Sequence, residues 1–202
     1  MRPWPDPRRY NERIIVSLIF EAILTSATSD GTTHIAPLGF RREGEFVVLA
    51  PFHPSRTLDN LRATGLAALS HTDDTRVFAG CLTGRRDWPL MPCERIACGR
   101  LESALSHIEL EVARIEEDPL RPRFLCRELL TRNHAPFPGH NRAQAAVIEA
   151  CILVSRLGML PADKVQREMD YLAIAIDKTA GPRELEAWGW LREKIAAHRE
   201  AA

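Results

Sequence analysis

The sequence predicts an α+β protein: an antiparallel β-barrel over residues 14–133, then a small C-terminal helical domain over residues 134–202, behind a leader of residues 1–13. Three observations carry this. Upstream of about residue 135, short apolar runs are punctuated by turn residues, and downstream of it helix formers dominate. Between the two, His134–His140 holds Pro136, Pro138 and Gly139, the composition of a linker.

The run from Ile14 to Thr28 is rich in β-branched and large apolar residues, and Ser29-Asp30-Gly31 closes it as a turn. Thr33–Phe40 is predicted to return as its hairpin partner. Arg42-Glu43-Gly44 turns again into Phe46–Ala50, a third and largely buried strand. Pro51 and Pro54 then force the chain out of the sheet, because neither donates to a ladder. Ser55 or Thr57 is placed to cap a short helix running to about Ala63, and Gly65 to stop it. Leu66–His71 is expected as a fourth strand. Asp73 and Asp74 are placed to cap a short helix through Val77 and Phe78, and Arg85–Cys93, with Pro89 and Pro92, reads as a loop. Ile96–Leu105 and Ile108–Ile115 are predicted as two long strands forming a hairpin, although Leu101–Glu117 also fits a helix. Phe124–Leu130 fits a last strand or a helical turn.

Past the linker, Asn141–Leu157 carries Ala145, Ile148, Ile152 and Leu157 close to a 3.6-residue period. Pro161 suits the first turn of a second helix through Asp177. Gly181-Pro182 introduces a third, with Leu185, Trp188, Leu191 and Ile195 along one face. Three amphipathic helices without a large core of their own must pack together, on the barrel or on a partner subunit.

Composition excludes several function classes. Twenty-seven Lys and Arg balance twenty-seven Asp and Glu, so neither nucleic acid nor an anionic membrane surface is an expected partner. Five cysteines (Cys81, Cys93, Cys98, Cys126, Cys151) form an odd, scattered set with no C-x-x-C, which argues against a disulfide framework or a zinc finger. His34, His53, His71, His134 and His140 lack i,i+4 pairing on a helix and nearby cysteine partners, so no metal is expected. The leader lacks a signal-peptide layout and Ile14–Leu24 is too short to span a bilayer, so a cytoplasmic protein is expected. No G-x-S-x-G, phosphate-binding G-x-x-x-x-G-K or H-E-x-x-H occurs, and the sequence names no catalytic residue.

The segment from Thr25 to Asp74 carries the functional signal. Ser55, Arg56, Thr57 and Asn60 collect hydroxyls, a guanidinium and an amide where a strand hands over to a helix. Free N–H groups and the positive end of the helix dipole favour phosphate there. Ordinary helix capping explains the same residues equally simply. Ala36, Pro37, Leu38 and Gly39 suit the wall of a flat ring, with main-chain groups exposed to its pyrimidine edge; they also fit a Pro-interrupted edge strand with a bulge at Gly39. Glu21 is expected to point outward from its strand, and His53 or His134 is a candidate proton donor. Arg142 opens a helix, where a cation opposes the dipole, which suggests an anion nearby.

Asp30-Gly31, Ala36-Pro37-Leu38-Gly39, Ala50-Pro51-Phe52, Ser55-Arg56-Thr57-Leu58-Asp59-Asn60-Leu61, Thr72-Asp73-Asp74 and Asn141-Arg142-Ala143, with Glu149 and Arg156 downstream, occur in an order that resembles the FMN-binding split-barrel proteins of the flavin-reductase-like superfamily. More narrowly, the chain is similar to an uncharacterised family, found in archaea and some one-carbon-metabolising bacteria, in which a helical domain follows the barrel. The resemblance covers roughly Ile19 to Lys178. It implies a split barrel, FMN as cofactor, and a homodimer with the flavin at the subunit interface. The expected function is therefore an FMN-dependent oxidoreductase of unknown substrate, with a link to one-carbon or pterin chemistry suggested by the family's distribution. A flavin carrier or sensor without turnover, and a cofactor-free dimeric scaffold, are the alternatives. FMN is held, on this reading, by Ala36, Pro37, Leu38, Gly39, Ser55, Arg56, Thr57, Asn60 and Arg142.

Overall fold

The computed structural model describes residues 18–201; the expected leader and the start of the first strand at residues 14–17 lie outside the described residues. Six strands close a barrel: β1 (Phe20–Ala27), β2 (Thr33–Glu43), β3 (Phe46–Leu49), β4 (Leu66–His71), β7 (Ser106–Glu116) and β8 (Arg123–Asn133). Around the barrel they run β1-β2-β3-β8-β7-β4, every pairing antiparallel.

β1 shows why its sequence is a continuous apolar run rather than an alternating one. Ala22 and Leu24 point into the barrel core with Phe40, Leu49, Leu69 and Phe124, whereas Ile23 joins a second core outside. A strand buried on both faces has no reason to alternate. Helix α1 (Arg56–Thr64) plugs the barrel with Leu58 and Leu61. Its sequence signals act as expected: Ser55 is the N-cap, its Oγ accepting from Leu58 N–H at 3.3 Å, and Gly65 ends the helix at φ 68°, a left-handed conformation that suits glycine.

The second core lies between the barrel wall, helix α2 (Arg76–Thr83) and the C-terminal helices α3 (Arg142–Val154), α4 (Ala162–Thr179) and α5 (Pro182–Glu200). The buried stripe of α3 is Ala143, Ala146, Val147, Ala150 and Val154, so its seam is rotated from the larger apolar residues Ile148 and Ile152, which are only half-buried. Small alanines on that face let neighbouring helices approach closely. On α5, Trp188, Leu191 and Ile195 are buried as expected, but Leu185 is exposed and Glu184 is buried in its place. The carboxylate is satisfied there: Glu184 Oε2 accepts from Gly181 N–H at 2.9 Å, closing the helix start, and Oε1 accepts from Gln144 Nε2 at 3.3 Å. No helix of the described residues is long and apolar enough to cross a membrane.

Two local expectations fail. Ile96–Leu105 is not a long strand paired with the next one. Most of it is turns, and only β6 (Gly99–Leu101) is extended, pairing with β5 (Leu90–Pro92) inside the predicted loop to make a separate two-stranded sheet. Just before this segment the two Glu109 oxygens accept the Glu94 and Arg95 amides at 2.6 and 2.7 Å, which satisfies loop backbone that pairs with no strand. The hairpin partner of β7 is instead β8, with register shifts after Glu109 and between Val112 and Arg114. The helical alternatives at Leu101–Glu117 and Phe124–Leu130 are both replaced by strand. Near α2, Thr75 holds the N-cap position without a side-chain bond, while Asp74 accepts from Arg76 N–H and grips its guanidinium at 2.7 Å.

Candidate functional site

β2 positions one wall of the site. Only its far end, Phe40–Glu43, pairs with β3; Thr33–Gly39 pairs with β1 alone. Among the described residues no strand pairs with the other edge of that stretch, which explains how Pro37 is tolerated in a barrel strand: its missing N–H is not needed there. The β1–β2 register is regular through Gly39, so the expected bulge is absent. Cys81 Sγ reaches the carbonyl of Ile35 at 3.8 Å, which identifies the odd-numbered residues as those whose backbone turns to the free edge. By the alternation of a ladder, the Pro37 carbonyl and the Gly39 amide point the same way.

The start of α1 forms the facing wall, and the two enclose a cavity of about 610 Å³. Its lining contains Ala36, Pro37 and Leu38 from β2, Pro51 and Phe52 from the exit of β3, and Ser55, Arg56 and Thr57 from the helix start. His34 and Arg86 complete it. The volume suits a cofactor-sized ligand. α-Helix geometry leaves the first amides of α1 without intrahelical partners, and they open toward this space with the positive end of the dipole.

The electrostatics all have one sign. Arg56 and Arg86 converge on His34, and burial, then these two cations, hold the His34 imidazolium below its ordinary 6.5. Among the described residues neither Arg56 nor Arg86 forms an ion pair, unlike Arg76 and Arg85 close by. Two guanidinium groups and a helix start facing one cavity suit an anion, and a planar fork can grip a phosphate through two oxygens. At the rim, Phe52 is 55% exposed and the Arg121 guanidinium stacks over its ring at 4.5 Å, anchored by a 2.7 Å bond from Nε to the Ala50 carbonyl.

Of the nine residues singled out in the sequence, six line the cavity and three do not. Asn60 is buried and turned away, its Nδ2 donating to the Ser26 carbonyl and hydroxyl at 3.3 and 3.1 Å. It ties α1 to β1. Gly39 backs onto the far side of the ladder, where a Cβ would meet Ile19 at 2.9 Å and Glu21 at 3.3 Å. Arg142 is exposed in the first turn of α3, outside the lining. Glu21 is exposed, as expected of an outward residue, yet burial and the nearby Glu149 carboxylate raise its pKa. The sequence reading did not single out Arg86, took Pro51 and Phe52 only as part of a motif, and took His34 only as a possible ligand. Arg86 lies thirty residues beyond Arg56 in a proline-flanked loop, and no spacing rule links the two.

Two family models match the chain. The one described as "Protein of unknown function (DUF447) N-terminal domain" covers residues 20–135, and the one described as "Protein of unknown function (DUF447)" covers residues 141–193. Among solved structures, an FMN-bound protein from Methanosarcina mazei superposes with a TM-score of 0.78 at 19% identity, over 89% of this chain and 96% of that one. The 2-nitrobenzoate 2-nitroreductase of Pseudomonas fluorescens gives 0.51 at 19% identity over 65% and 73%. Nitrilotriacetate monooxygenase component B from Bacillus cereus gives 0.50 at 16% over 72% and 89%. Comparison with curated proteins found no match. The fold is thus the split barrel with C-terminal helices that the sequence motifs led us to expect.

Proposed function

The chain belongs to the DUF447 family, and from that membership we propose that it binds FMN in the cavity between β2 and the start of α1 and serves as a flavin-dependent oxidoreductase. The observation that carries the proposal is the convergence of Arg56, Arg86 and His34 on the opening turn of α1, beside a free strand edge. The FMN-bound relative and the nitroreductase and monooxygenase-component neighbours support the same reading.

These residues fit the group. The phosphate would lie at the helix start, held by Arg56, Arg86, the Ser55 and Thr57 hydroxyls and the first amides of α1. Ala36, Pro37 and Leu38 would support the ring, leaving the Pro37 carbonyl and Gly39 amide for its polar edge. When bound, the flavin supplies the redox chemistry, and the chain supplies orientation and field. Arg86 and Arg56 hold positive charge near the site, which favours an anionic, reduced cofactor over a neutral one.

The expected assembly is a homodimer with the cavity at the interface. Phe52 lines the cavity and is 55% exposed, and the bond from His53 N–H to the Leu120 carbonyl ties the next residue to Leu120, 62% exposed. A second copy would cover that apolar surface, and Arg142 would serve the partner's site rather than its own.

The test is optical. Protein purified from expression should be yellow and retain flavin through gel filtration, and retention should fall at least tenfold in Arg56→Ala and Arg86→Ala. Anaerobic NADH or NADPH should then bleach the flavin of the native protein. Equal retention in all three proteins would remove the phosphate from this corner. Retention without bleaching by any nicotinamide donor would leave a carrier in place of an oxidoreductase.

A further inference from the structure

A second polar cluster lies away from the cavity and shares no residue with it. His107 and Glu109 stand two apart on β7 and therefore face the same side of the strand. Both are sealed from solvent, His107 1% and Glu109 0% exposed. The loop between β5 and β6 brings Cys93 onto them. The thiol sulfur, an imidazole nitrogen and a carboxylate oxygen lie within 4.8 Å of one another. We propose that this Cys93–His107–Glu109 cluster is a binding site for a divalent transition ion of the zinc class.

The donor set and its spacing carry the proposal. A tetrahedral ion with bonds of about 2.0–2.3 Å sets its ligand atoms roughly 3.3–3.8 Å apart. His107 Nε2 already stands 3.1 Å from Glu109 Oε1, close to that edge length. Thiolate, imidazole and carboxylate together suit zinc or cobalt and poorly suit magnesium or calcium, which take oxygen ligands.

The outer contacts are those a ligand set needs. His107 Nδ1 meets His134 Nε2 at 2.9 Å, with the rings stacked at 12°. With Nε2 on the ion, the His107 proton sits on Nδ1 and is donated to His134, which fixes tautomer and ring orientation. Glu109 is held by the amides of Glu94 and Arg95, so its carboxylate cannot swing away. Cys81, Cys98 and Cys126 each approach a backbone carbonyl, whereas among the described residues Cys93 Sγ, like that of the buried Cys151, meets no such partner. The fourth position falls to water or to Cys98, whose carbonyl accepts from Cys93 N–H at 3.0 Å across the same loop.

The experiment loads the full chain with zinc, dialyses it against metal-free buffer and measures metal by mass spectrometry. Native protein should keep about one ion per chain, and Cys93→Ser should weaken affinity at least tenfold. His134→Ala changes an exposed residue that does not touch the ion and should weaken it roughly tenfold. Cys126→Ser, a buried thiol outside the cluster, should retain the ion as the native chain does. X-ray absorption at the zinc edge of the native protein should show one or two sulfurs among nitrogen and oxygen neighbours, a readout that flavin content does not affect. Failure of native protein to retain zinc, a sulfur-free shell, or undiminished retention by Cys93→Ser would overturn the assignment.

Discussion

His34 experiences the combined pull of burial and two guanidinium groups, and the consequence is a pH dependence of stability. Its folded pKa lies below the ordinary 6.5, so below that value the unfolded chain takes up a proton that the folded chain refuses. Stability supplied by neutral His34 is therefore full above about pH 6.5 and is lost progressively as pH falls beneath it. His71 is shifted the same way, by burial and then by Arg42, and adds to the slope. Urea midpoints measured between about pH 7.5 and about pH 5.5 should decline in the native apoprotein and decline less in His34→Gln. Equal slopes would mean that the His34 pKa is not depressed in the folded chain. Residue scale also explains why Asn60 lies outside the cavity lining. A helical turn puts it near Thr57, but a buried amide must be satisfied, and Ser26 lies closer than any ligand.

Among the elements, α2 decides where Arg86 sits. The helix ends at Gly84, φ 91°, and the loop beyond folds back over Gly80, with Arg85 N–H bonded to the Gly80 carbonyl at 2.8 Å. A Cβ on Gly80 would meet the Trp88 ring at 2.6 Å and the Arg85 carbonyl at 2.9 Å. Backbone cannot yield cheaply, so Gly80→Ala should cost about 1–3 kcal/mol. It should also weaken flavin retention, although Gly80 does not line the cavity, because the displaced loop carries Arg86. Thermal melts and flavin content, measured on the same preparation, test both halves of this. Unchanged retention would show that the loop adjusts without moving Arg86. At the same scale, the strand predicted at Ile96–Leu105 keeps only Gly99–Leu101, which pairs with Leu90–Pro92 and not with β7.

For the whole molecule, barrel and helices meet through one continuous core that includes Ile23 and Ile35 of the barrel wall, Phe78 of α2, and Val147, Met169 and Leu191 of the C-terminal helices. On the proposed assembly, the apolar surface beside the cavity is where a second chain would pack. The native protein should sediment at twice the mass of one chain, and Leu120→Glu, at an exposed position, should shift it toward the monomer while lowering flavin retention. A native monomer that holds flavin as tightly as the proposal requires would move the site off any interface.

Local chemistry was enough to predict the barrel, the capped α1 and the three closing helices. Turn residues, proline's missing donor, the Ser55 cap and the Gly65 stop act within a few residues of themselves, so they are written in the chain. The corner where Ser55, Arg56 and Thr57 line the cavity was legible for the same reason, since the three are neighbours. What only the tertiary structure decided are meetings across distance: Arg86 and His34 with Arg56, Asn60 with Ser26, Cys93 with His107 and Glu109. Each depends on which strands pair and where a loop closes, and those choices are made by burial and hydrogen-bond satisfaction over the whole fold, which no short spacing encodes.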